Sequence, residues 1–259
     1  MGLKELAPSY FSRKKAVIES LGSGQRILNV GCGDGDYDSH LKRKFFQVFA
    51  LDVNKADLLL AKAKNSGKVI YYVLASAEQL PFKKSVFDQA ICVEVLEHID
   101  KDEKALSEIN RVLKKGSRLL FTVPNLDFPA SFDPINFVLQ RLSGRHLPFG
   151  LWGFGHKRLY REKDIMQKLA RNGFSIARMQ GLLHFFAGVF ENYYLLNLLQ
   201  PFTKTSPSNR PRMDAAKPVV SKNQPKLLVR FRNWVLRNDA KFSSAKNRCL
   251  QFLVEAKKA

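Results

Sequence analysis

Apolar residues along the chain fall into short, nearly continuous runs separated by stretches of helical period. Residues 9–21 place Phe11, Val17, Ile18 and Leu21 on one helical face, and Gly22 and Gly24 close that segment. A β-favouring run through Ile27, Leu28 and Val30 follows and stops at three glycines in alternate positions, Gly31, Gly33 and Gly35. A helix is predicted over 38–44, then a strand from Val48 to Leu51 ending at Asp52. A helix over 55–65 stops at Ser66 and Gly67, and a strand covers 69–74. Residues 86–93 read as a strand. The helix over 102–113 carries Leu106, Ile109 and Val112 on one face and closes at Lys115 and Gly116, and a strand over 117–123 ends at Pro124 and Asn125. A helix over 161–172 and a strand over 175–179 come later. Strands alternating with helices at this pitch predict a parallel, doubly wound α/β sheet with its ligand at the carboxyl ends of the strands.

The glycine turn and Asp52 sharpen that picture. A strand that ends in bare glycine backbone can bring N–H groups against a ligand, because no Cβ intervenes. An acid at the end of the following strand is where a nucleotide-binding βαβ unit accepts ribose hydroxyls. A nicotinamide dehydrogenase shares this logic but expects Gly-x-Gly-x-x-Gly, which the spacing here does not supply.

Composition narrows the setting. At 259 residues the chain can bury a full core. Its three cysteines, Cys32, Cys92 and Cys249, lie far apart without CxxC spacing, which argues against a disulfide framework or structural zinc and predicts a reducing, cytoplasmic compartment. The first residues lack the apolar core of a signal peptide, and no stretch of membrane-spanning length is clear of charged or amide side chains. The net charge of +20 is uneven: residues 203–259 hold 14 Lys and Arg against 3 Asp and Glu. Such an excess suits a polyanion or an anionic membrane surface.

Residues 26–125 resemble the class I S-adenosylmethionine-dependent methyltransferases, in a methyltransferase type 11-like form. Val30-Gly-Cys-Gly-Asp-Gly35 matches the family's first motif, Leu51-Asp-Val53 the acidic motif after strand 2, and Ala77-Glu-Gln-Leu-Pro-Phe82 the adenine-side motif. Val112-Leu-Lys-Lys-Gly-Ser-Arg-Leu-Leu-Phe121 is similar to the segment leading into strand 5. The resemblance implies a Rossmann-like, doubly wound sheet of seven strands, parallel with one antiparallel strand and with helices on both faces. It implies S-adenosyl-L-methionine as cofactor. Gly31, Cys32 and Gly33 would cup its amino-acid half, Asp52 would accept both ribose hydroxyls, and Val53 would pack on the adenine. Ser76 and Ala77 would flank the adenine edge, and the Val93 carbonyl would take the ammonium. Asn29 stands where the family usually has Asp, which removes a charge from the floor of the site, and Ser76 replaces a frequent Asp.

Methyl transfer needs an aligned nucleophile and, for a hydroxyl, a group that removes its proton. Glu94, Glu97 and His98 follow strand 4 directly, and His98 is the natural base. Quinone-precursor O-methyltransferases and small-RNA 2′-O-methyltransferases carry a similar Glu-x-x-Glu-His motif, associated there with a divalent metal. The same three residues are therefore the candidate metal ligands, with His156 as a fourth, although a metal is not expected. In the plain structural reading, His98 hydrogen-bonds the loop and Glu97 caps a helix. Catalytic candidates are thus His98, Glu97 and His156.

Residues 126–155 form a long connection whose Phe128, Phe132, Phe137, Trp152 and Phe154 predict an apolar or planar substrate, or a sealed core. The chain reads as a methyltransferase core over 1–181, an apolar then basic insertion over 182–246 with a disordered stretch at 203–226, and a closing strand in 247–259. Residues 182–202 and 227–237, the latter bearing Trp234 among arginines, suit a membrane interface, and the rival for 182–202 is a helix folded onto the sheet or a dimer partner. The expected activity is O-methylation of a small or lipid-linked hydroxyl at the inner face of a membrane. An RNA 2′-O-methyltransferase and a non-catalytic cofactor-binding homologue are the alternatives.

Overall fold

The apolar run at Ile27 forms the buried part of the central strand. In a computed structural model of the chain, β1 (Gly24–Val30) is enclosed from Ile27 onward and pairs in parallel with β2 (Phe45–Asp52) on one side and β4 (Phe87–Val93) on the other. The structure describes residues 7–128, 134–145, 155–184, 187, 226–241 and 249–259. Beyond β2 lies β3 (Tyr71–Leu74), and beyond β4 lies β5 (Leu113–Pro124), both parallel. With β6 (Phe174–Leu182) and β7 (Gln251–Lys258), the sheet has seven strands in the order β3-β2-β1-β4-β5-β7-β6.

Strand order reverses at β1. Crossovers in α/β sheets are right-handed, so connections heading toward β3 lie on one face and those heading toward β5 on the other. The first face receives α2 (Asp38–Lys42) and α3 (Lys55–Lys64), and the second receives α4 (Asp102–Val112). The strand β7 runs against its neighbours. The Asn125 N–H donates to the Leu250 carbonyl at one end of β5, while Lys258 Nζ reaches the Leu113 carbonyl at the other. Likewise the Leu250 N–H donates to Leu183 and the Ala259 N–H to Gly173, at opposite ends of β6. One strand is antiparallel, as the family resemblance implies.

Two compact units divide the chain. The sheet unit comprises Ala16–Pro124, Leu159–Gln180 and Phe252–Ala259. Its core is built from Ile27, Leu28, Val30, Leu51, Phe87, Ile91, Ile109, Leu119 and Phe121, all 2 % exposed or less. The helix α4 turns Leu106, Ile109 and Val112 inward, as its period predicts, and its first residue, Asp102, is buried too. That carboxylate accepts from the Tyr160 hydroxyl at 2.9 Å and pairs with Lys168 on α6 (Glu162–Arg171).

The second unit comprises Met1–Lys15, Asn125–Arg158 and Gly181–Gln251. It contains the first half of α1 (Pro8–Ser20), α5 (Pro134–Ser143) and α7 (Lys226–Lys241). Phe128, Leu183, Ala187, Val235 and Leu250 form its apolar cluster. Asp239 on α7 accepts backbone N–H groups from His184 at 2.7 Å and Ala187 at 3.1 Å.

Boundaries moved where glycine misleads. The predicted stop at Lys115 and Gly116 lies inside β5, which starts at Leu113 directly after α4. Gly116 has φ +74°, and the register against β4 slips between Phe87 and Gln89, so the glycine marks an irregularity within the strand. Of the predicted lid aromatics, Phe132, Trp152, Phe154 and the side chain of Phe137 lie outside the described residues, as do most of 182–202 and all of 203–225.

Candidate functional site

The site begins where β1 ends. Gly31, Gly33 and Gly35 have φ of +69°, +51° and +76°, in the left-handed region that L side chains rarely adopt. Two of the three are also tight. A Cβ on Gly31 would lie 2.4 Å from Val95 Cγ2, and one on Gly35 would lie 2.8 Å from both Asn65 Nδ2 and Asp38 Oδ2. Gly33 differs: among the described residues, nothing lies within 4 Å of the position its Cβ would take. Its bare backbone is therefore uncovered by any described side chain.

Asp52, at the end of β2 and 8 % exposed, is tied to this loop. Its Oδ2 accepts the Gly33 N–H at 2.9 Å and its Oδ1 accepts the Asn54 N–H at 2.9 Å. Asn54 in turn caps α3 by accepting the Ala56 N–H. A carboxylate has about four lone-pair sites, so each oxygen keeps acceptor capacity for a hydroxyl pair. The Cys32 N–H binds the Leu51 carbonyl at 2.9 Å, which fastens the turn to β2 a second time.

Beneath the loop, Asn29 (2 % exposed) donates through Nδ2 to Asp38 Oδ1 at 2.8 Å. The carboxyl that Asn29 lacks is thus supplied to the floor of the site by Asp38 of α2, fully buried. Burial pushes the Asp38 pKa above the ordinary carboxylate value, against the lowering effect of Asn29. The Cys32 thiol is pushed far up by burial and by the Asp38 and Asp52 charges, so it stays protonated.

On the β2–β3 side, Val53 is 58 % exposed and the Ala75 N–H binds the Asp52 carbonyl. Ser76 Oγ accepts the Glu78 N–H at 3.1 Å, closing a short turn over which Ala77 is buried. Its hydroxyl oxygen is thus used locally, a turn that serine supports well.

At the end of β4, Val93 is half-buried and Glu94 adopts φ +55°. Thr122 on β5 holds it there: its Oγ1 accepts the Glu94 N–H at 3.1 Å and donates to Glu94 Oε1 at 2.8 Å. The next turn, Leu96–His98, carries Glu97, fully buried, and His98, half-buried. Glu97 lies close enough to Cys92 to add to the burial that pushes that thiol's pKa up. His156 is half-buried and belongs to the second unit.

The sheet unit therefore brings Gly31, Cys32, Gly33, Asp52 and Val53 together at one strand end, with Ser76 and Ala77 after β3 and Val93, Glu94, Glu97 and His98 after β4. Sequence reasoning missed Asn54, Asp38 and Thr122. A threonine within the apolar run Leu119-Leu-Phe-Thr-Val123, fully buried, was the one signal for the last.

Residues 28–121 match the family model for a methyltransferase domain. The chain is similar to O-methyltransferase resE of Aspergillus sclerotiorum, 33% identical over 156 residues, covering 55% of this chain and 59% of that protein. It is 35% identical over 145 residues to the ubiquinone/menaquinone biosynthesis C-methyltransferase UbiE of Vibrio vulnificus, covering 52% of this chain and 54% of that one. The chain thus spans about half the length of the curated relatives it matches. Among solved structures, the [4+2]-cyclase SpnF superposes with a TM-score of 0.60 at 19% identity, over 95% of this chain and 80% of that one. An S-adenosylmethionine-dependent methyltransferase from Mesorhizobium loti gives 0.59 at 16% identity, over 97% and 98%. At such identities the likeness is one of fold.

Proposed function

We propose that the chain is a class I S-adenosylmethionine-dependent methyltransferase, supported by the methyltransferase-domain match over residues 28–121 and by its curated relatives, and that it methylates a hydroxyl of a small or lipid-linked acceptor at a membrane surface. The observation that carries the cofactor's place is the open cradle at Gly33, whose N–H is held by Asp52. In this reading Asp52 takes both ribose hydroxyls and the backbone of Gly31, Cys32 and Gly33 takes the amino-acid half. Val53, Ser76 and Ala77 border the adenine, and the Val93 carbonyl receives the ammonium.

The bound cofactor supplies a methyl group already activated by its sulfonium. The chain's own residues have the remaining work of alignment and proton removal. His98 is assigned to take the acceptor's proton, and Glu97, buried in the same turn, to orient it. Glu94, locked by Thr122, sets the edge of the acceptor site. The assignment rests on the sheet unit, so it does not need His156.

An O-methyltransferase and a quinone-biosynthesis C-methyltransferase among the relatives support an apolar acceptor. The uneven cationic charge supports an anionic surface as its setting. The decisive experiment incubates purified protein with methyl-labelled cofactor and cell extract, then separates lipid, RNA and protein. Label in an organic-extractable product is expected. Label in RNA would establish the 2′-O reading instead, and cofactor binding without turnover on any fraction would mark a non-catalytic homologue.

A further inference from the structure

We propose that the outward face of α7 docks the protein on a bilayer bearing anionic headgroups; this deepens the membrane-surface part of the function proposed above and rests on it. The helix has two unlike faces. Inward, Val235 (3 % exposed) joins the apolar cluster of the second unit, and Arg232 (5 %) lies with its guanidinium 3.6 Å from the centroid of the Phe11 ring. Outward, Phe231 and Trp234 are 42 % and 50 % exposed. Their rings stack at 5.8 Å with 16° between planes, and Arg230 and Arg237 are exposed on either side.

Charge distribution decides which occupant fits. The helix sequence carries Lys226, Arg230, Arg232, Arg237 and Lys241 against a single acid, Asp239. That acid is 4 % exposed and its two oxygens face the backbone N–H groups of His184 and Ala187. The outward face therefore presents apolar rings and cations without a carboxylate to repel phosphate. A helix of 16 residues is about 24 Å long, enough to lie along an interface with its rings in the acyl boundary. No described helix is long and apolar enough to cross a membrane. Nucleic acid is the weaker match, because the two rings already cover one face of each other, whereas base binding uses open rings as platforms.

The test uses the full chain and sedimentation with vesicles of phosphatidylcholine alone or with one-third phosphatidylserine. The wild type should pellet with the mixed vesicles. Phe231→Ser/Trp234→Ser should abolish pelleting. Arg230→Glu/Arg237→Glu should lower partitioning by roughly fivefold or more for each arginine. Both variants should keep the wild-type affinity for S-adenosylhomocysteine in calorimetry, which reports an intact sheet unit. If the wild type pellets and the variants pellet equally, the α7 assignment falls and the membrane-surface reading stands. If the wild type does not pellet, both fall. If instead the variants lose salt-sensitive binding to an RNA oligonucleotide while vesicle binding is unchanged, the face is a nucleic-acid surface and the proposal is overturned.

Discussion

The backbone N–H of Gly33 donates to Asp52 Oδ2 at 2.9 Å, so the turn that would hold one half of the cofactor is fastened to the acid that would hold its ribose. Replacing Asp52 by Ala removes the acceptor for both Gly33 and Asn54 and the one for the ribose. Hydrogen bonds to a charged group contribute about 1.5–3 kcal/mol each. Affinity for S-adenosylhomocysteine is expected to fall at least about a hundredfold, and unchanged affinity in calorimetry would remove Asp52 from the site.

The glycines separate stability from binding. Gly31→Ala adds left-handed strain and a clash with Val95, for a loss of roughly 2–5 kcal/mol. Gly33→Ala carries only the strain, about 1–2 kcal/mol, because its Cβ meets none of the described residues. Thermal unfolding should therefore show the larger drop for Gly31→Ala. Among the folded variants, Gly33→Ala should lose cofactor affinity more than about tenfold, since its Cβ enters the ligand's space.

Asp38 makes a pH prediction whose sign is fixed. Burial raises its folded-state pKa above the unfolded one, so its contribution to stability is fully present below pH of about 4 and is lost as pH rises through the folded value. Asp38→Asn keeps an acceptor for Asn29 without this cost. The melting temperature of the variant relative to wild type should rise from pH 4 toward neutrality. A difference independent of pH would show that Asp38 is not held toward its neutral form.

Thr122→Val takes away the two hydrogen bonds that Thr122 makes to Glu94 while preserving shape. Methyl transfer should slow by roughly ten- to a hundredfold with cofactor affinity unchanged, and Thr122→Ser should restore it. Equal rates for all three proteins would show that the orientation of Glu94 has no part in the reaction.

Much of this was legible because it is local or periodic. The runs at Ile27 and Val86 are enclosed on both faces, which is why they read as continuous apolar stretches. The glycine positions and the acid at Asp52 are spaced by one βαβ unit, a distance the backbone itself sets. What remained hidden are pairings of side chains that no period encodes. Asn29 and Asp38 looked like a lost charge and an ordinary helix start until folding placed them 2.8 Å apart. Asp239 carries no periodic or motif signal, yet it accepts from backbone N–H groups 52 and 55 positions earlier in the chain. Lys115 and Gly116 read as a helix stop because that signal is also how a strand accommodates a slip in register.

The place of β7 between β5 and β6 has a bearing on how the chain is made. As synthesis proceeds, β1 to β5 can pair in order, but β6 emerges with no neighbour to join, and the outer edge of β5 stays open across the whole stretch from Leu183 to Leu250. An unpaired edge of apolar strand is a template for association with other chains. The β5 edge is therefore an aggregation-exposed surface until β7 inserts between the two strands that precede it.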